Sequence, residues 1–336
     1  MKSNLARFFY VFFATVALAW LACPVTPAQA ATNFPNKPIQ MIVCWGAGGG
    51  VDVTARVFGK YFEKYIKETV VIQNITGGGG SVGFTRVVGS RPDGYTLTMA
   101  ASPVIQHRYT IDGVQYSPDS FDTLGMVTFD PVFLVVKAGS KYDMPAQDFF
   151  NLVKKNPGKI LYGVGSHWGG HDFARAQLVL ESGLEFQKVT MTKGGAEVVT
   201  NILGEHIDCG TIHYAEGGSH IQEGTLKVLA VSSDQRSALA PNAPTYKELG
   251  YNLHLGTWRG VLAPKGLPAD VLAILRDAFD KAAADPALAQ DLSKIGVPPV
   301  FLNWEKFATL MREEDASIKK VVDLLKAEAT KESTKK

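Results

Sequence analysis

Cysteine, excess charge and long apolar segments are scarce in this sequence of 336 residues. The 34 Lys and Arg residues nearly balance the 32 Asp and Glu residues, so no basic stripe for nucleic acid is expected. The apolar run from Phe8 to Ala22 has 15 residues, fewer than the roughly 20 that a membrane-spanning helix needs. No later segment is long and apolar enough to span a bilayer, which favours a soluble mature protein.

The chain begins with the pattern of a secretory signal. Lys2 and Arg7 give a positive start, the apolar run follows, and Ala-Gln-Ala at 28–30 places small residues at the spacing of a cleavage site. Residues 1–30 are therefore predicted to be removed on export to the periplasm. The alternative is a lipid-modified Cys23, which the residues before it fit poorly.

Removal of this signal leaves a neutral chain with two cysteines. Residues 31–336 carry 32 basic and 32 acidic residues, so any cationic group that matters must belong to a local site. Cys44 and Cys209 each end a predicted strand, and a disulfide would require their Cα atoms to lie within about 7 Å. We interpret them as unpaired small residues. A chain of this length is expected to form two domains or one large one.

Short β-branched runs alternate with amphipathic stretches, which is typical of an α/β protein with a parallel sheet and crossover helices. Strands are predicted at Ile39–Cys44, Thr69–Gln73, Tyr95–Ala100, Val132–Val136, Lys159–Tyr162, Phe186–Met191, His206–Gly210, Leu226–Val231 and Thr257–Ala263. Helices are predicted at Asp52–Lys67, Ser81–Gly89, Pro145–Asn156, His171–Glu181, Gly195–Leu203, Pro268–Ala284 and Trp304–Ala329. The last helix has one apolar stripe, which indicates a structural brace, and the polar segment 327–336 is expected to fray.

A glycine-rich segment from Cys44 to Asp52 lies between the first predicted strand and the first helix. Such a turn presents backbone N–H groups and the positive end of the helix dipole, so it is expected to bind a carboxylate or phosphate. No Gly-Lys-Ser/Thr follows, which excludes a P-loop, and Val51 stands where a dinucleotide fingerprint has glycine. A tight turn without a ligand has the same pattern. The candidate ligand residues of this first loop are Trp45, Gly46, Ala47, Gly48, Gly49 and Asp52.

A second loop of the same kind, from Gly163 to His171, also follows a strand and opens a helix. Two such loops can clamp one acid between them. His167 and His171 are four residues apart, but glycines separate them and no carboxylate completes a zinc-protease pattern, so neither a metal nor a cofactor is expected. Each imidazole is either a donor to a bound carboxylate or a structural histidine. The candidates in this second loop are Ser166, His167, Trp168, Gly169 and His171.

Ser81 lies in a Gly-x-Ser-x-Gly sequence, the pattern of a hydrolase nucleophile. An elbow serine follows its strand directly, whereas here the segment 74–78 intervenes, so we interpret Ser81 as a helix N-cap. A secreted serine hydrolase is the alternative function, because Asp and His partners cannot be identified from sequence alone.

Taken in order, further motifs resemble those of the substrate-binding proteins of tripartite tricarboxylate transporters, the Bug or TctC-like periplasmic receptors. The motifs are Phe34–Ile39, Gly49–Asp52, Asn74, Gly77–Gly80, Pro92–Leu97, Lys193–Ala196, Gly204–Asp208 and Ala263–Gly266. They cover essentially the whole mature chain. The resemblance implies a binding protein rather than an enzyme.

The resemblance also implies a type II periplasmic-binding fold, in which two α/β lobes are joined by a two-strand hinge. Lobe 1 would comprise residues 31–128 plus 257–336, and lobe 2 residues 129–256. The chain crosses between lobes near Thr128–Val132 and Leu253–Trp258. The cleft would hold a ligand carboxylate through backbone N–H groups and waters from both loops.

The implied ligand is a small carboxylate, which the protein would pass to the membrane permease subunits of a tripartite tricarboxylate-type transporter. A di- or tricarboxylate is favoured and an aromatic acid stays open. Trp258 and Arg259 are expected at the cleft mouth, with Arg259 reaching a second carboxylate. The alternative for Trp258 is lobe packing, and the alternative for Arg259 is an interlobe salt bridge.

Two departures from the family pattern bear on the ligand. Ala47 stands where these proteins usually have proline, and Val51 stands where a hydroxyl residue is common. The loss of that hydroxyl shifts ligand contacts to backbone donors or to the second lobe. Ser102 and Thr211 complete the expected set of ligand contacts. A sensory role, in which the liganded protein is presented to a membrane kinase, fits the same features.

Overall fold

The computed structural model describes residues 33–102, 104, 107–166, 169–192, 194–233, 235–251, 253 and 255–333. The predicted signal at 1–30 and the loop residues His167 and Trp168 lie outside the described residues. Among the described helices, none is both long enough and apolar enough to cross a bilayer.

Strands and helices alternate along most of the chain. The strands are β1 (Ile39–Val43), β2 (Val70–Asn74), β3 (Thr96–Ala101), β4 (Phe121–Lys137), β5 (Leu161–Val164), β6 (Gln187–Thr190), β7 (Cys209–His213), β8 (Leu226–Val231), β9 (Gly256–Pro264) and β10 (Pro299–Asn303). The helices are α1 (Gly50–Ile66), α2 (Ser81–Val88), α3 (His107–Thr110), α4 (Ala146–Lys155), α5 (Gly170–Ser182), α6 (Gly195–Leu203), α7 (Tyr214–Gln222), α8 (Ala269–Ala283), α9 (Pro286–Lys294) and α10 (Trp304–Ser333). The predicted α/β class is confirmed.

The strands form one sheet in the order β2-β1-β3-β9-β4-β7-β5-β6, with β8 and β10 also paired to β4. Strand β1 lies parallel to β2 and β3, and β5 lies parallel to β6 and β7. These two parallel groups need crossover helices, which α1, α2, α5 and α6 supply. The carboxyl ends of β1 and β5 therefore lead into the two glycine-rich loops.

Strand β4 connects the two parallel groups through its unusual length of 17 residues. Its first part pairs with β9 as far as Pro131 opposite Gly256, and its last part pairs with β7 from Val132 opposite His213. The change of partner coincides with Pro131, which has no N–H to donate. The lobe boundaries near residues 128 and 256 stay a prediction.

The C-terminal helix α10 packs its apolar stripe into the core, as its spacing predicts. Phe307, Met311, Ile318 and Leu325 are all buried, and the same cluster includes Phe173 of α5. The helix therefore braces the first part of β4 and also contacts the helix that follows the second glycine loop. It remains helical to Ser333, beyond the predicted end at Ala329.

Several boundaries differ from the predicted ones for local reasons. The predicted strand at Val132 is the second part of β4, because Pro131 had hidden its continuity with the residues before it. Strand β7 begins at Cys209 rather than His206, since His206 donates its N–H to the Asn201 carbonyl at 2.9 Å in the turn that ends α6. The structure also contains elements that the sequence pattern did not indicate, namely α3, α7, α9 and β10.

Candidate functional site

The first glycine loop is held in place by Asp52, which is 2% exposed in the first turn of α1. Its carboxylate accepts hydrogen bonds from Gly48 N at 2.8 Å, from Arg56 at 2.9 and 3.0 Å, and from Asn74 Nδ2 at 2.9 Å. Asn74 also donates to the Trp45 carbonyl at 2.9 Å. The carboxylate thus ties together the loop, the helix and the end of β2.

Asp52 acts from within the first turn of α1 and is not the residue that caps the helix. The N-cap of α1 is Gly49, without a side-chain cap, so Asp52 orders the loop from inside the first turn. Gly49 has φ −72°, and it is Gly48 that has positive φ, at 80°. The hydrogen bonds from Arg56 are the largest influence on Asp52 and, with those from Gly48 and Asn74, hold its pKa at about 2 against the opposing effect of burial.

The outer surface of the first loop is open. A Cβ atom built on Gly46 or on Gly48 would meet no atom within 4 Å. Trp45 is half-buried and packs edge to face on Phe84, with ring centroids 5.6 Å apart. Its ring therefore supports the loop from the core side.

The second glycine loop opens onto a cavity of about 310 Å³. Helix α5 begins at Gly170, and its N-cap, Gly169, has no side-chain cap. A Cβ on Gly170 would meet nothing within 4 Å, so this first turn borders open space. The cavity is lined by Ser102, Gly165, Ser166, Gly169, Gly170, His171, Phe173, Ala174, Gln177, Gly194, His213, Leu255, Gly256, Thr257, Glu314 and Ile318.

Two histidines of this cavity are linked to acidic side chains. His171 Nε2 lies 3.1 Å from Glu216 Oε2, and His213 Nδ1 lies 3.5 Å from Asp130 Oδ1. The two imidazole rings are 5.4 Å apart. Burial alone would lower the pKa of His213, but the contact with Asp130 outweighs it and raises the pKa.

Glu216 organises this part of the cavity. It accepts the backbone N–H of His213 at 2.8 Å and that of Gly195 at 3.2 Å, besides facing His171. Burial acts to raise the pKa of Glu216, but the hydrogen bond with His171 and the nearby imidazoles outweigh it and lower the pKa. A side chain at residue 195 would collide with Glu216, which explains the glycine there.

Arg259 approaches the N-terminus of α1 from the sheet. Its Nη2 would lie 3.1 Å from a Cβ on Gly50, and Nη1 donates weakly to Thr128 Oγ1 at 3.4 Å. Burial lowers the pKa of this guanidinium, and within the described residues its Nε has no hydrogen-bond partner. Side chains alternate along a strand, so Arg259 shares a face of β9 with Thr257, which lines the cavity.

The structure brings some of the expected ligand residues together and separates others. Ser102, Ser166, Gly169 and His171 line the cavity, whereas His167 and Trp168 lie outside the described residues. Two expected contacts are buried instead. Trp258 is 1% exposed and packs on Phe307, and Thr211 is 0% exposed and receives the Tyr162 hydroxyl at 3.1 Å.

Other expectations concern residues outside the cavity. Ser81 is the first residue of α2 and its N-cap is Gly80, so the interpretation of Ser81 as the cap is wrong. Cys44 and Cys209 are both buried and unpaired, as we interpreted them. The described residues contain no cluster of His, Cys, Asp or Glu suited to a metal ion.

Several cavity residues were not predicted from the sequence, among them His213, Gly170 and Glu314. His213 ends β7, and the carboxyl end of a parallel strand is where ligand-binding residues are expected in an α/β sheet. Gly170 directly follows Gly169, which was predicted as a ligand contact, but was not itself predicted. Glu314 lies between the buried Met311 and Ile318 at the spacing of the apolar stripe, so an acidic residue at a position that the helical period assigns to the buried face is the signal that could have found it.

The comparisons with known proteins agree on one family. Residues 54–326 match the family described as tripartite tricarboxylate transporter family receptor. The chain is 27% identical to protein BugT of Bordetella pertussis over 94% of this chain and 100% of the relative. It is 28% identical to a UPF0065 protein of Cupriavidus necator, over 92% of this chain and 94% of the relative. The crystal structure of a TctC solute binding protein from Polaromonas superposes with a TM-score of 0.81 at 27% identity, over 86% of this chain and 99% of that one. The expectation of a type II periplasmic-binding fold is confirmed by this likeness.

Proposed function

The chain belongs to the tripartite tricarboxylate transporter receptor family, and on that premise we propose that it captures a small carboxylate in the periplasm and delivers it to the permease of such a transporter. The family is one of solute-binding receptors rather than enzymes, which overturns the serine-hydrolase alternative at Ser81.

The observation that carries the carboxylate proposal is the uncapped N-terminus of α5 at the cavity. A helix N-terminus offers unpaired N–H groups and a partial positive charge, which together favour an anion. His171 and His213 stand in the same cavity wall, and the contact of His213 with Asp130 raises the pKa of His213, which favours its cationic form. A volume of about 310 Å³ suits a small organic acid.

A second carboxylate is accommodated by the first loop in this proposal. Arg259 lies against Gly50, and its Nε has no hydrogen-bond partner among the residues that the structure describes; its strand also supplies Thr257 to the cavity. A guanidinium binds a carboxylate through two parallel hydrogen bonds. This arrangement favours a di- or tricarboxylate, and an aromatic acid is the alternative.

Binding of an acid panel, measured by calorimetry and by thermal shift, tests the proposal. Gly170→Leu places a side chain in open space at a residue without positive φ, so it should abolish binding and leave the melting temperature nearly unchanged. Gly46→Leu is the matched variant in the first loop, where a Cβ also meets open space. If both loops hold the ligand, both variants lose affinity. Wild-type affinity in Gly170→Leu would contradict the assignment of the α5 N-terminus.

A further inference from the structure

The wall of the cavity contains one acid, Glu314 of α10. Its Oε2 accepts the indole N–H of Trp258 at 2.6 Å. Within the described part of the chain, Oε1 has no hydrogen-bond or ion-pair partner, and it is not among the fully buried unpartnered atoms. Glu314 therefore presents to the cavity a carboxyl oxygen that no group of the described residues satisfies.

A free carboxyl oxygen in this position is energetically unfavourable unless something binds it. Burial is the main reason that the pKa of Glu314 is raised to about 7, and the nearby Asp315 adds to the shift. Asp315 is itself paired with Arg108 at 2.8 Å. The other charged groups near Glu314, on the elements that line its two sides, are Glu181, Glu313, Lys320, His171 and His213. In the described part of the chain, none of these residues forms a hydrogen bond or an ion pair with the carboxyl group of Glu314.

The cavity thus has two kinds of polar wall. The α5 N-terminus with His171 and His213 favours a negative group, whereas Glu314 disfavours a second negative group near it and favours a hydrogen-bond donor or a cation. A plain carboxylic acid satisfies the first wall only. An acid that also carries a protonated amino group satisfies both.

We propose that Glu314 is a specificity-determining residue that binds a protonated nitrogen of the ligand, so that the receptor selects amino-substituted carboxylic acids over the corresponding plain acids. The proposal rests on the carboxylate-receptor function and names the ligand class of that same site. Glu314 would form a charged hydrogen bond to the ammonium group while Oε2 keeps its bond to Trp258.

The alternative is that Glu314 only anchors the Trp258 indole. Glu314→Gln separates the two roles, because the amide oxygen still accepts the indole N–H while the negative charge is lost. Glu313→Gln is the matched control, since Glu313 is the exposed neighbour on the same helix and does not line the cavity.

The test measures dissociation constants by calorimetry for three pairs of acids that differ by one ammonium group. The pairs are succinate and L-aspartate, glutarate and L-glutamate, and butyrate and 4-aminobutyrate. In the wild type the amino member of the best-binding pair should bind about tenfold or more tightly, the scale of a charged hydrogen bond. Glu314→Gln should remove this preference, and Glu313→Gln should keep it.

The pH profile adds a second readout. The wild-type preference for the amino member should grow from pH 6 to pH 8, because Glu314 becomes ionised over this range while the ammonium group stays protonated. In Glu314→Gln the preference should be flat with pH. A purely structural role predicts equal loss for both members of a pair and no such profile.

The outcomes distinguish the two proposals. Tighter binding of the plain acid in every binding pair, or equal weakening of both members in Glu314→Gln, overturns the role of Glu314 and leaves the carboxylate-receptor function standing. Failure of every acid in both classes to bind contradicts the receptor function itself, and the role of Glu314 falls with it.

Discussion

Replacement of Asp52 by asparagine tests how the first glycine loop is built. The substitution keeps the shape of the side chain but removes the charge that accepts hydrogen bonds from Gly48, Arg56 and Asn74. The pKa of Asp52 falls from 3.8 to about 2 on folding, which corresponds to roughly 2–3 kcal/mol of stabilisation of the ionised form. Asp52 is 2% exposed but its main partner Arg56 is 50% exposed, so solvent screens part of this interaction and the lower end of the range applies. We therefore expect Asp52→Asn to lower the free energy of unfolding by about 2 kcal/mol at pH 7.

The sign of the pH dependence follows from the direction of the shift. Because the folded-state pKa is depressed, the carboxylate contributes fully above the unfolded value of 3.8 and loses its contribution as the pH falls through about 2. The difference in unfolding free energy between wild type and Asp52→Asn should therefore shrink between pH 4 and pH 2. Urea unfolding followed by tryptophan fluorescence at several pH values measures it.

The matched control is Asp277→Asn. Asp277 forms the same i,i+4 type of ion pair, with Lys281 at 2.6 Å, but it is 62% exposed. A surface pair of this kind contributes about 0.3–0.5 kcal/mol. If Asp52→Asn costs no more than Asp277→Asn, or if its cost does not fall in acid, the carboxylate does not hold the loop as we describe. Loss of ligand affinity in Asp52→Asn alone is expected, because the loop would lose its fixed shape.

Three further predictions concern other groups, and one concerns export. Arg259→Ala should weaken di- and tricarboxylates by about 10- to 100-fold and barely change monocarboxylates, as calorimetry with both classes would show; equal weakening of both classes contradicts its role. Arg175→Met should lower the free energy of unfolding by about 3–5 kcal/mol in urea titrations, because Arg175 is 1% exposed and its acidic partners would be left without it. Asp130→Asn should lower the pKa of His213, which Asp130 raises, and an imidazole titration by NMR would detect it; an unchanged value refutes the pairing. The mature protein should begin at Ala31, and Edman or mass-spectrometric sequencing that found a lipidated cysteine instead would refute this.

Elements with a strong local pattern were predictable, whereas those that depend on tertiary packing were not. The predicted bounds of α6 and β8 match the structure. Helix α7 was missed because Gly217 and Gly218 weaken its helical pattern, yet a Cβ on Gly217 would lie 2.6 Å from Ile212, so close packing on β7 requires the glycine. A single sequence shows the glycine but not the neighbour that demands it.

In the candidate site, too, the parts with a local sequence pattern were predictable and the parts that depend on tertiary packing were not. The glycine loops could be predicted because the strand-to-helix turn is a local pattern, and the structure places the second loop at a cavity. The residues that complete the cavity come from distant parts of the chain. His213 and Glu314 are 101 positions apart in the sequence, and they line one cavity only because the fold brings the end of β7 and a turn of α10 to its wall. Trp258 was expected to contact the ligand because it lies beside Arg259 in the sequence. Side chains alternate along a strand, however, so Trp258 points to the other face of β9 and is buried in the core.

The helices that follow the two glycine loops begin with the same short pattern of residues, but the two loops offer different groups to a ligand. Each helix opens with Gly-Gly, at 49–50 and at 169–170, and each has an aspartate two residues later that is paired with an arginine on the next turn. This shared pattern alone therefore cannot distinguish one bound group from another. The distinction lies in the residue between, which is Val51 in the first loop and His171 in the second, and in Arg259, which supplies a cation to the first loop from the sheet. A guanidinium keeps its charge at any physiological pH, whereas His213, in the cavity of the second loop, loses its charge as the pH rises through its raised pKa. Affinity for the carboxylate held by the second loop should therefore fall as the pH rises through that pKa, and affinity for the one held by the first loop should not.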